Sequence, residues 1–208
     1  MGKGLFFPYR DENKAKKFPH INLLLIVVTV LIFFWSLPNF EYIIGTYGFT
    51  PSNFVILTIF TSMFLHAGLD HLFGNMWYLF IFGDNVEDRF GIFKYTLFYF
   101  ASGIAATLAH YLSDPSSVIP AIGASGAISG VLGAYVVFFP HVKVHVLSRI
   151  YHGTVPAWVM IGFWFVLQLI LGTTGLISGQ GSGIAFWAHI GGFAFGAVAA
   201  WVYKTFTE

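Results

Sequence analysis

Residues 21–37 read INLLLIVVTVLIFFWSL, and no charged side chain occurs between Lys17 and Glu41. A helix crossing about 30 Å of hydrocarbon needs about 20 mostly apolar residues, so Ile21–Leu37 is expected to span a membrane. No small-residue cleavage site precedes Pro38, and the segment is expected to be retained rather than removed as a signal peptide. Charges frame further spans on either side: Lys94 and Asp114 around Tyr95–Leu112, then Asp114 and Lys143 around Gly123–Phe139. Between Arg149 and Lys204 there is no charge, a run too long for one helix. Gly172-Thr-Thr-Gly175 and Ser178-Gly-Gln-Gly-Ser-Gly183 are expected to break it into Val155–Leu171 and Ile184–Tyr203. His71–Val86 completes six spans, and it is the least apolar because it carries His71, Asn75 and Asp84. Phe54–Leu65 is apolar but too short to cross, and is expected to lie in the interface or re-enter partway.

Composition points the same way. Of 208 residues, 57% are hydrophobic, 20% aromatic and only 9% charged, against about 25% charged in an average soluble domain. This excludes an ordinary soluble enzyme and a disordered chain, and a net charge of +1 excludes nucleic-acid binding through a basic face. With no cysteine, disulfide frameworks, thiolate metal sites and cysteine nucleophiles are excluded as well. All ten positive charges fall on one side of the six-span topology: Lys3, Arg10, Lys14, Lys16 and Lys17 before span 1, Arg89 and Lys94 after span 2, Lys143 and Arg149 after span 4, and Lys204 after span 6. By the positive-inside rule both termini are expected to be cytoplasmic. The expected organisation is a cytoplasmic basic tail over residues 1–20, a six-span domain over 21–204 and a short tail over 205–208. The fold class expected is all-α, and no internal repeat of the transporter kind is visible.

Ionisable and amide side chains inside a membrane are costly, and so are candidates for function. Three groups enter their spans from the outer side. They are His66-Ala-Gly-Leu-Asp-His71-Leu-Phe-Gly-Asn75, Gly123-Ala-Ser125-Gly126-Ala-Ile-Ser129-Gly130, and Ala188-His189-Ile-Gly-Gly192-Phe-Ala-Phe-Gly196. Ser125, His189 and Asn75 share a depth of roughly 5–9 Å at a 1.5 Å rise per residue. The Gly126-x3-Gly130 and Gly192-x3-Gly196 spacings let spans 4 and 6 approach closely, bringing Ser125 within reach of His189. That pair suits acyl transfer, because serine becomes a nucleophile when an adjacent base takes its proton and histidine titrates near neutrality. Ser125 opens a helix, where unpaired N–H groups favour a developing oxyanion. The Asn75 amide and one of the span 2 histidines are candidate side-chain donors. No carboxylate lies at that depth to orient the histidine.

Blander readings exist for each piece. Gly-x-Ser-Gly in an apolar helix is commonly a packing motif, and a lone histidine beside glycine is commonly a packed, hydrogen-bonded residue. His66 and His71 lack a third ligand for a metal. Ser129, one turn after Ser125, fits helix contact or hydrogen-bond support better than catalysis. A His-Glu-x-x-His zinc motif, a pair of span aspartates and an outer-side lysine are all missing, which removes the other intramembrane protease chemistries. A non-catalytic adaptor that binds transmembrane helices, and a small channel or transporter, are the competing classes. Convergence of the three groups at one level favours the hydrolase.

With these residues in view, the sequence resembles the rhomboid family of intramembrane serine proteases. The resemblance rests on His66-x4-His71-x3-Asn75, Gly83-x3-Glu87-x3-Gly91, Gly123-Ala-Ser125-Gly126 and Ala188-His189-x2-Gly192-x3-Gly196, in family order from about Thr61 to Gly196. It implies Ser125 as nucleophile, His189 as general base, and an oxyanion hole formed by His71, Asn75 and the Ser125 N–H. It also implies structural roles for His66 in the outer loop and for Glu87 near the inner face, with Gly123, Gly126, Ser129 and Gly192 supporting the site. Pro38–Asp70 would be a half-embedded first loop, Gly175–Gly183 a flexible cap and span 5 a candidate substrate gate. Substrates would be transmembrane helices cut near their outer ends, with no cofactor or metal. The short basic tail, which carries no targeting pattern, favours a prokaryotic plasma membrane. Two positions depart from the family pattern: Leu57-Thr58 stands where many members have Trp-Arg, and Ser129 stands where some have a tyrosine packed on the histidine.

Overall fold

The computed structural model describes residues 7–148, 152–178 and 184–207. Its elements are β1 (Phe7–Asp11), α1 (His20–Ser36), α2 (Phe40–Tyr47), α3 (Ile56–Thr61), α4 (Leu69–Phe90), α5 (Ile92–Ser113), α6 (Ser125–Phe138), β2 (Lys143–Leu147), β3 (His152–Pro156), α7 (Ala157–Ser178) and α8 (Phe186–Thr207). Among the described residues, four helices are long and apolar enough to cross a membrane, counting α1 together with α2. The number is five if the bent pair Ile56–Phe64 and Leu69–Phe90, at 90° to one another, forms one span. α6 is shorter, at 14 residues, or about 21 Å of helix. It is also the most enclosed helix, buried without interruption from Gly126 to Tyr135.

α6 sits at the centre, between α4, α5 and α8. Its contact with α8 is made through backbone. A Cβ added at Gly192 would lie 2.1 Å from the Gly126 carbonyl oxygen, one at Gly196 2.0 Å from that of Gly130, and one at Gly133 2.3 Å from that of Phe193. Side chains at these positions would hold the helices apart, so the small-residue spacing does what the sequence leads one to expect.

At the opposite end of α4 from His71, Glu87 caps a neighbouring helix. Its carboxylate accepts the Ile21 and Asn22 N–H groups at 3.1 and 2.8 Å, satisfying donors that the first turn of α1 would otherwise leave unpaired. Asn22 is fully buried; it donates to the Leu79 carbonyl at 3.0 Å and accepts from the Tyr95 hydroxyl at 2.8 Å. Gly83 makes room for it, since a Cβ there would lie 2.0 Å from Asn22 Oδ1. Gly91 joins α4 to α5 with φ +74°. The Gly83, Glu87 and Gly91 spacing therefore builds the end of the α1–α4–α5 packing far from Ser125.

Three features differ from the sequence expectation. The chain is not all-α: β1, β2 and β3 form an antiparallel sheet in that order, at the end of the bundle away from Ser125. Lys143-Val-His-Val-Leu147 alternates, with Val144 and Val146 fully buried. A strand needs only this two-residue period, which a search for long apolar runs overlooks. Second, residues 1–20 read as a tail, yet Phe7–Asp11 is a strand tied to the bundle. Trp77 donates to the Pro8 carbonyl at 2.7 Å, Asn85 Nδ2 to Asp11 at 3.0 Å, and the Tyr135 hydroxyl to the same carboxylate. Third, Gly172-Thr-Thr-Gly175 does not end a helix. α7 begins at Ala157 and continues to Ser178, and the Thr173 and Thr174 hydroxyls donate to the Leu169 and Ile170 carbonyls at 2.7 and 2.9 Å. Threonine can satisfy its hydroxyl on the preceding turn, so a Thr pair between glycines is compatible with a helix in an apolar setting.

The segment from Pro38 to Asp70 holds α2, α3 and two short 3₁₀ turns. Backbone pairing fastens it to the α5–α6 connection: Phe49 and Ala121 exchange both hydrogen bonds at 3.1 and 2.8 Å, and the Gly123 N–H donates to the Ser62 carbonyl at 2.9 Å. Thr58, at one of the two departures from the family pattern, bonds locally to the Val55 carbonyl at 2.7 Å.

Candidate active site

Ser125 is the first residue of α6 and His189 lies in the first turn of α8. The glycine contacts between these two helices bring Ser125 Oγ to 2.8 Å from His189 Nε2. Both side chains are partly exposed and face a cavity of about 260 Å³, shared with His71, Asn75, Tyr78 and Trp164. The approach to Ser125 depends on two residues before it. Gly123 has φ +122°, a conformation reserved almost entirely for glycine. A Cβ there would also fall 2.8 Å from His71 Cε1, so the bare Cα is where the His71 ring rests. His71 is thereby held over the turn that delivers Ser125.

His66 is fully buried and its ring meets that of His71 edge-on, with centroids 4.9 Å apart. The Ala124 N–H points to His66 Nε2 at 3.5 Å, a long contact that ties the segment before α4 to the residue before Ser125. Asn75 Nδ2 donates to the His71 carbonyl at 2.9 Å; an amide has two N–H groups, and one remains for the cavity that Asn75 lines. Ser129 Oγ donates to the Ser125 carbonyl at 2.6 Å, turned into its own helix rather than toward His189. Gly126 faces Ala106 and Ala188, and Gly192 faces Gly126. Glu87 lies at the other end of α4, capping α1. Of the cap stretch Gly175–Gly183, residues 179–183 lie outside the described residues.

Two residues that border this site carry a signal the sequence reading did not use. Gln168, on α7, has Oε1 2.9 Å from His189 Nδ1. Trp164, one turn earlier, places its ring 6.0 Å from the imidazole, tilted by 38°. Gln168 is the sole amide between Val155 and Leu171, and the rule that singled out Asn75 and His189, that polar groups in apolar spans are costly, applies to it equally.

Fold and site together define an integral membrane protein: an apolar helical bundle with a hydrogen-bonded serine–histidine pair opening on a cavity at one end. Among the described residues, no group of three or more His, Cys, Asp or Glu side chains is placed to hold a metal ion. The Rhomboid domain profile matches residues 53–206, and the chain belongs to the rhomboid family, as its motifs led one to expect. It is 31% identical over 134 residues to the rhomboid-family protein YdcA of Bacillus subtilis, covering 61% of this chain and 67% of that one. It is 30% identical over 191 residues to Rhomboid protein 1, mitochondrial, of Saccharomyces cerevisiae, covering 88% of this chain and 53% of that one. With rhomboid protease AarA of Providencia stuartii it shares 32% over 155 residues, 68% of this chain and 54% of that one. The chain thus spans about half the length of the yeast and Providencia relatives.

Proposed function

We propose that this chain is an intramembrane serine endopeptidase that cleaves transmembrane helices of membrane-protein substrates near the outer face of the bilayer. The observation that carries the reading is the 2.8 Å contact between Ser125 Oγ and His189 Nε2 beside a cavity of about 260 Å³. In the proposed reaction Oγ attacks the scissile carbonyl carbon while His189 Nε2 takes the hydroxyl proton. The carbonyl oxygen becomes an oxyanion stabilised by the Ser125 N–H, His71 and the spare Asn75 N–H. The tetrahedral species collapses as His189 returns its proton to the leaving amine nitrogen, leaving an acyl ester on Ser125. A water, deprotonated by the same imidazole, then releases the acid and restores the hydroxyl.

The proposal carries a topology. Six spans (α1, α4, α5, α6, α7 and α8) run with both termini cytoplasmic in a prokaryotic plasma membrane, and Pro38–Asp70 is a half-embedded outer loop. All ten positive charges on one side support this orientation. The sheet and β1 would then be cytoplasmic, and the catalytic domain would run over residues 21–204. No cofactor is needed, since every proton moved has a donor and an acceptor among these side chains.

The test is cleavage of a single-span model substrate in liposomes, run together with fluorophosphonate labelling. The wild type is expected to cleave and to label on Ser125. Ser125→Ala and His189→Ala are each expected to lose cleavage by at least about 10³-fold. A wild type that neither cleaves nor labels would point to a helix-binding adaptor, and cleavage by Ser125→Ala at the wild-type rate would overturn the mechanism.

A further inference from the structure

We infer that Gln168 is a positioning residue for His189, supplying from α7 the orientation that a third catalytic partner would otherwise give; this rests on Ser125 and His189 being the reacting pair. A neutral imidazole has one N–H and one bare nitrogen, and it can accept the serine proton only when Nε2 is the bare one. That requires the proton on Nδ1 and an acceptor to hold it there. Gln168 Oε1 lies 2.9 Å from Nδ1, on the far side of the ring from Ser125 Oγ at 2.8 Å from Nε2. The two contacts select the tautomer together: Nδ1–H donates to the amide oxygen, and Nε2 accepts from the hydroxyl.

The surroundings argue that this contact is built rather than incidental. Gln168 is only 8% exposed, whereas its neighbours Val166 and Ile170 are 50% and 53% exposed and face outward. An amide buried in an apolar helix is costly unless bonded, and its oxygen meets the one imidazole that acyl transfer uses. Trp164 lies one turn before Gln168 on the same face, with its ring against His189. Next to it, Phe165 stacks on Phe193 at 4.3 Å between centroids, one turn along α8 from His189. α7 is thus seated against α8 by aromatic rings at the height where Gln168 reaches the histidine. Since the acceptor rides on α7, the histidine is held in its reactive tautomer only while α7 is seated. An amide is neutral, so it fixes the proton's position without placing a second charge beside the imidazole.

The experiment measures kcat and KM separately for Gln168→Leu, Gln168→Met and Gln168→Glu in liposomes. It adds ¹⁵N NMR of histidine-labelled protein in a Ser125→Ala background, which reports the His189 tautomer without activity. Leu has no acceptor and Met only a weak thioether sulfur; both are expected to lower kcat by about tenfold, the value of one hydrogen bond, with KM nearly unchanged. Their His189 signal is expected to move from a single Nδ1–H form to a mixture. Glu retains an acceptor and is expected to hold kcat near wild type. Unchanged kcat and tautomer in Gln168→Leu, with Ser125→Ala inactive, would overturn the inference while leaving the serine–histidine reading intact. Equal losses in Leu and Glu, or a lowered kcat with an unmoved tautomer, would overturn it too. Wild-type cleavage that survives Ser125→Ala would instead remove the reading on which it rests.

Discussion

α6 and α7 both border His189, but they are joined to its helix in different ways. α6 meets α8 backbone to backbone: the Cα of Gly192 leaves no room for a methyl group against the Gly126 carbonyl, nor that of Gly196 against Gly130. α7 meets α8 through side chains, with Phe165 on Phe193, Trp164 beside His189 and the Gln168 oxygen on His189 Nδ1. Along α7, Gly162 and Gly175 have nothing within 4 Å of where a Cβ would sit, and a Cβ at Gly172 would meet α8 only through side-chain atoms, Phe186 Cβ at 3.2 Å and Ile190 Cδ1 at 3.4 Å. Close-packed backbones have little freedom to adjust, whereas side-chain contacts can separate and re-form by rotamer changes. The Ser125–His189 distance therefore belongs to the rigid contact and the imidazole tautomer to the adjustable one.

The sharpest way to break this contrast is the same substitution on each side. Gly192→Ala places a methyl group 2.1 Å from the Gly126 carbonyl oxygen, where only backbone displacement can relieve it. Overpacking of this kind costs about 1–3 kcal/mol, and a shift of 1 Å between Ser125 and His189 lowers turnover by about 10²-fold. Thermal unfolding in detergent and the cleavage assay read the two effects. A second, smaller effect concerns the end of α6 far from Ser125, where Tyr135 bonds to Asp11 of the N-terminal strand. Burial raises the Asp11 carboxyl from its ordinary 3.8 to about 6, against the opposing hydrogen bond from Tyr135 and the charge of Arg10. The folded chain thus binds this proton more tightly than the unfolded chain. Its stabilising share is full below about pH 4, falls as pH rises toward 6 and is absent above. Asp11→Asn is expected to stabilise the protein at neutral pH by about 1 kcal/mol, discounted for partial exposure, and to flatten the pH dependence of unfolding across that window. The smallest effect is expected on α7. Gly162→Ala meets open space and relieves glycine's backbone entropy, so a gain of about 0.5 kcal/mol is expected with unchanged kcat. A loss there equal to that of Gly192→Ala would dissolve the distinction between the two helices.

Much of this site was legible in the sequence because a membrane makes polar residues expensive. Ser125, His189, His71 and Asn75 stand out against apolar runs, and the glycine spacings on spans 4 and 6 say which helices approach. Gln168 carries the same signal, but it sits in no motif, and nothing local says that its oxygen faces His189. That depends on how α7 is rotated and seated, which aromatic contacts with α8 decide. The strand at Phe7–Asp11 was illegible for a related reason. Phe-Pro-Tyr-Arg-Asp has no two-residue apolar period, and it becomes a strand because β2 offers a partner edge and Asn85, Trp77 and Tyr135 hold it there. Val144 and Val146 did carry a strand period, too short to notice among helices of 20 residues.

The sequence alone determined that the chain is a membrane-embedded helical protein of this family, because charge is scarce, apolar runs match the bilayer and polar residues survive in it only where something holds them. It also determined where the backbones could touch, since only glycine lets two helices approach to carbonyl contact. Tertiary structure decided what lies behind the histidine, how the segment between α1 and α4 is fastened and how the N-terminal residues close the far end of α6. Those contacts join residues far apart in the chain, Gln168 to His189, Phe49 to Ala121 and Asp11 to Tyr135, and no local preference encodes them; only the packed bundle brings their atoms within reach.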